Sequence, residues 1–65
     1  MQVFMRDQAQ EILNKRKFPI NSIGVCRCND GWCYWYYTDK IFDSGVELTE
    51  EEALRTAKRN IGNEI

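Results

Sequence analysis

The sequence contains no histidine. That removes the commonest general base near neutral pH and every nucleophile arrangement that leans on an imidazole, Ser-His and Cys-His alike. There is one proline among only four glycines, and no glycine-rich phosphate loop or nucleophile elbow. No apolar run approaches the roughly 20 residues of a membrane span, and Arg6 and Asp7 stand where a signal peptide would need its apolar stretch. The chain is therefore expected to be cytoplasmic. Net charge is only −1, which gives no overall pull toward nucleic acid. Three cysteines, an odd number, argue against a disulfide scaffold and for reduced thiols.

What is present suits one small folded unit. Sixty-five residues fit a single domain, 1–65, that buries about 60% of its unfolded surface, with no room for an enclosed small-molecule pocket beside its core. Hydrophobic residues at 43% and eight aromatics exceed what a disordered chain carries. Charge is distributed unevenly, with Lys15, Arg16 and Lys17 early and Glu50, Glu51 and Glu52 late.

Met5, Ala9, Ile12 and Leu13 recur at the spacing of one helix face, predicting a first helix over Met5 to Arg16. Pro19 disfavours helical geometry at Phe18, so that helix is expected to stop near Lys17, with Phe18 and Ile20 pinning the connection to the core. Ser22 to Asn29 and Trp32 to Tyr37 are rich in β-branched, aromatic and cysteine residues. Asp30-Gly31 between them suits a two-residue type I′ turn, which would oppose Cys28 to Cys33 and Val25 to Tyr36. Alternation then puts Gly24, Cys26, Cys28, Cys33, Trp35 and Tyr37 on one face and Ile23, Val25, Arg27, Trp32, Tyr34 and Tyr36 on the other.

A third short strand is expected around Lys40 to Ser44, broken by Gly45, its register open by one residue. Thr49 with Glu52 forms a capping box, Leu48 and Ala53 stand where a hydrophobic staple would, and three glutamates favour the first turn. The second helix starts there, with Ala53, Leu54, Ala57 and Ile61 as its apolar stripe and Gly62 at its expected C-terminal cap. The predicted fold is α+β, order α-β-β-β-α, a three-stranded antiparallel sheet with two helices on one face.

Cys26, Cys28 and Cys33 invite a metal reading, but C-x-C-x4-C without histidine supplies three ligands where a structural zinc site uses four. They read as small buried hydrophobes, with a Cys28–Cys33 disulfide left open as an oxidised form. Acid-base work would have to rest on carboxylates. Asp30, Asp39 and Asp43 belong to turns and Glu50 to Glu52 to a helix start, so a structural role is expected for these six. No catalytic residue, metal or cofactor is expected.

Trp32 to Tyr37 holds five aromatics in six residues, so aromatics must emerge on both faces of the sheet. With both helices placed on the cysteine and Trp35 face, Val25, Trp32, Tyr34 and Tyr36 form an exposed patch beside Arg27. Trp, Tyr and Arg are enriched at interface hot spots. These five residues are the expected binding site for another protein, or for a second copy in a homodimer. A single-stranded nucleic-acid binder using the same aromatics is the alternative.

The order α-β-β-β-α resembles the double-stranded RNA-binding domain. At the start of the second helix, where that domain carries lysines, this chain has Thr49-Glu50-Glu51-Glu52, which speaks against RNA. The strand-rich core followed by LTEEEALRTAKRNI is similar to small accessory proteins of phages and mobile elements. That resemblance implies a protein that binds and inhibits or redirects a host protein.

Overall fold

The aromatic and β-branched residues of the middle of the chain set a sheet, and helices before and after it close its two faces. In the computed structural model, which describes residues 1–65, β1 (Gln2–Met5) leads into α1 (Arg6–Lys15). β2 (Ser22–Cys28), β3 (Gly31–Tyr37) and β4 (Phe42–Glu47) follow, and α2 (Glu50–Glu64) ends the fold. The class is α+β as expected. The sheet, however, has four strands in the order β1-β2-β3-β4, with β1 parallel to β2 and the other two pairings antiparallel. No helix is long and apolar enough to cross a membrane.

The two helices cover opposite faces, which corrects the expectation of both on one. α1 lies over β1 and β2, and α2 lies over β2 and β3 with its fringe on β4. Beneath α1, Ala9, Cys26 and Trp35 are buried, flanked by Phe4, Ile12, Leu13 and Phe18. Beneath α2, Ile23, Tyr36, Ala57 and Ile61 are buried, flanked by Tyr34, Ile41 and Leu54. The physical reason is β1. A parallel β1-α1-β2 unit needs its helix as a crossover on one face, and α2 then buries the apolar residues remaining on the other.

The hairpin falls where predicted, with a different turn. Asn29 and Asp30 form the loop, and Cys28 faces Gly31, Cys26 faces Cys33, Gly24 faces Trp35 and Ile23 faces Tyr36. Neither loop residue has positive φ, whereas Gly31 has φ of 148°. A type I′ turn needs positive φ at both central residues, so glycine here serves the residue after the turn. Pairing moves by two positions, an even step, so each strand keeps its predicted face sets.

β4 also runs further than expected, through Gly45 to Glu47. Gly45 stands opposite Tyr34, and the tyrosine ring fills the space a Cβ would need. Helix ends follow local chemistry. Arg16, at φ 56°, caps α1 and its N–H donates to the Ile12 carbonyl at 2.9 Å. Thr49 Oγ1 accepts from the Glu52 N–H at 3.1 Å, as the capping box requires. α2 continues past Gly62 to Glu64, so that glycine is interior and not a cap.

Phe18 does pin the connection, with ring centroids 4.9 Å from Trp35, 5.6 Å from Tyr37 and 4.7 Å from Phe42. Ile20 points to solvent.

Candidate functional site

The five residues expected to form one exposed patch are divided by α2. Val25 is fully buried and Tyr36 nearly so, and Tyr34 is half-buried against the same cluster. The Tyr36 hydroxyl sits 3.4 Å from an Asp43 carboxylate oxygen. Val25 and Tyr36 are core residues, unable to meet a partner. The expectation failed because it left this face without a helix.

Arg27 and Trp32 stay at the surface. They face each other across the hairpin, and the guanidinium carbon lies 5.5 Å from the ring centroid of Trp32, within cation–π range. Arg6, Asp7, Gln10 and Cys26 join them in lining an open cleft of about 430 Å³.

A second surface was not foreseen. Phe42, Val46 and Leu48 are 37%, 52% and 81% exposed, which places them at the surface and not in the core. Phe42 and Val46 pair with Tyr37 and Cys33 of β3 and so share their face of the sheet, the one covered by α1. Because α1 stops at β2, no helix covers that face over β4, where Phe18 reaches the Phe42 ring and Val46 is left open. Leu48 follows directly and does not staple α2. β4 is also an outer strand with no neighbour beyond it. The signal is present in the sequence as Phe42-x-Ser44-x-Val46-x-Leu48, period two, but Gly45 in its middle is a residue that ordinarily weakens a strand.

The cysteines sit on the α1 side as three free thiols, Cys26 buried and Cys28 and Cys33 half-buried. Cys28 faces Gly31, and Cys33 faces Cys26, which corrects the predicted Cys28–Cys33 opposition. Burial pushes the Cys33 thiol up to about 12, aided by its hydrogen bond with Cys28 and by neighbouring thiols and Asp30. Burial also raises Cys26. Thiols held protonated in this way are poor nucleophiles at neutral pH.

The carboxylates that meet side-chain partners do so in structural roles. Glu50 takes both Arg6 Nε at 3.0 Å and a terminal guanidinium nitrogen at 3.1 Å, Glu47 accepts from the Thr56 hydroxyl at 2.9 Å, and Glu11 pairs with Lys15 at 2.9 Å. The Arg6 hydrogen bonds hold Glu50 below the usual glutamate range, and Lys15 does the same for Glu11. No family model matches this chain, no curated protein matches its sequence and no solved structure matches its fold.

Proposed function

We propose that this protein is a non-enzymatic interaction module that binds another polypeptide through β4. The observation that carries the reading is the row of exposed apolar side chains, Phe42, Val46 and Leu48, along an unpaired outer strand. An outer strand offers main-chain hydrogen bonds to an extended segment, and alternate side chains supply its selectivity. Trp32 pairs with Glu47 across the ladder, so the Arg27–Trp32 pair lies at the Val46 end of the sheet but on the opposite face from Phe42 and Val46. A phage or mobile-element accessory protein acting on a host protein in the cytoplasm is the setting that fits this role.

The test compares capture of partners from a bacterial lysate by the native chain and by Val46→Lys. Loss of a captured protein with the variant, at unchanged circular dichroism, supports the reading. Capture that ignores Val46 overturns it. Binding that is removed by nuclease and weakens steeply with salt would assign the surface to nucleic acid instead.

A further inference from the structure

We infer that the segment covering the open edge of β4 is a second copy of this chain, paired antiparallel through the same strand about a two-fold axis perpendicular to the sheet. This rests on the reading of β4 as the binding element and names its occupant.

One hydrogen bond shows which backbone groups face outward. The Ser44 N–H donates to Oδ1 of its neighbour Asp43 at 2.8 Å, not to β3. Alternation along an antiparallel strand turns the N–H and C=O of Phe42 and Val46 the same way. A symmetric pairing must bring these outward-facing residues opposite one another, which leaves few registers. Centred on Asp43, the pairing sets Asp43 against Asp43. Centred on Gly45, it sets Asp43 against Glu47. Like charges directly opposed on a sheet are destabilising. Centred on Phe42 or Val46, it leaves part of the six-residue strand unpaired.

The register centred on Ser44 avoids the like-charge oppositions and leaves only Glu47 of β4 without a partner in the second strand. Ser44 faces Ser44, Asp43 faces Gly45, which has no side chain, and Phe42 faces Val46 in two symmetry-related pairs. The perpendicular axis keeps both α1 helices on one side, so the exposed Phe42 and Val46 of both copies close into one apolar row between them. Ser44 N–H then exchanges the Asp43 carboxylate for the Ser44 carbonyl of the second copy. The result is an eight-stranded sheet in which β1 is the only remaining edge at each end.

Sedimentation equilibrium of the full chain in reducing buffer, from about 10 μM to about 1 mM, spans the range in which a weak dimer populates both states. A reversible monomer–dimer equilibrium is expected, weakened about tenfold or more in both Ser44→Pro and Val46→Lys. The proline removes an outward N–H and no bond to β3. Circular dichroism at low concentration confirms that each variant folds. In the native chain, exchange of the Phe42, Ser44 and Val46 amides is expected to slow as concentration rises, a readout that needs no variant. A chain that stays monomeric throughout, or a dimer indifferent to both substitutions, overturns the inference. A monomer whose capture of another protein still depends on Val46 removes the second copy while keeping β4 as the binding element.

Discussion

Gly24 has no side chain because Trp35 occupies the place where one would be. The two residues face each other across β2 and β3, and a Cβ on residue 24 would enter the indole ring. The indole is fixed there from above as well, since its N–H donates to the Ala9 carbonyl of α1 at 3.3 Å, satisfying the polar atom of a fully buried tryptophan. Flexible relief is absent: the ring is held by helix, by Phe18 and by the sheet. Gly24→Ala is therefore expected to cost about 3 kcal/mol, the upper end of ordinary overpacking, measured by urea denaturation. A variant as stable as the native protein would mean that the indole has room to move. The sequence showed Gly24 and Trp35 on one face, and that was right. It could not show that the glycine makes room for the tryptophan and not for a helix, because that depends on which residues stand opposite.

Among the elements, α2 was the most legible, since its start is encoded locally. Thr49 and Glu52 lie three residues apart and their bond forms as the motif requires, while Ala53, Ala57 and Ile61 line the buried side. Thr49→Ala is expected to destabilise the protein by about 1 kcal/mol, read from the thermal midpoint, and an unchanged midpoint would place the helix start elsewhere. The hairpin was legible in extent but not in register, because glycine serves either inside a turn or directly after one, and Asp30-Gly31 fits both. β1 was not legible. Four residues, Gln2 to Met5, are too short to show a period, and their strand geometry comes from pairing with Ser22 to Val25, a contact made across the whole of α1. The reach of β4 was lost for a similar reason, since only the Tyr34 ring opposite Gly45 explains a glycine inside the strand.

At the scale of the whole molecule, the missing strand decided the rest: without β1 there is no crossover, and without a crossover nothing requires a helix on each face. Of the expected site, Arg27 and Trp32 remain at the surface while Val25 and Tyr36 pass into the α2 core. With a helix on each face, Trp35→Ala and Tyr36→Ala should both cost roughly 3–5 kcal/mol, a pairing that two helices on one face would not produce; a mild Tyr36→Ala in chemical denaturation would contradict the layering. The layers are also joined at one end. Arg6, at the start of α1, reaches round the sheet to Glu50, at the start of α2, through two hydrogen bonds. That contact, with Lys15 on Glu11, holds two glutamates below their ordinary value of 4.5. Because the folded state lowers these values, their contribution is complete above the ordinary glutamate range and is lost as pH falls through the lowered ones. The thermal midpoint should thus be flat with respect to these groups above about pH 5 and decline below about pH 4. Both pairs are solvent-exposed, so high salt should weaken the effect. Glu50→Gln removes the charge that binds the helix starts together, and the variant should lose less stability than the native chain over the same acid range. An acid slope identical in the two proteins would show that the Arg6–Glu50 contact does not bear on stability and that the helices are held by the sheet alone.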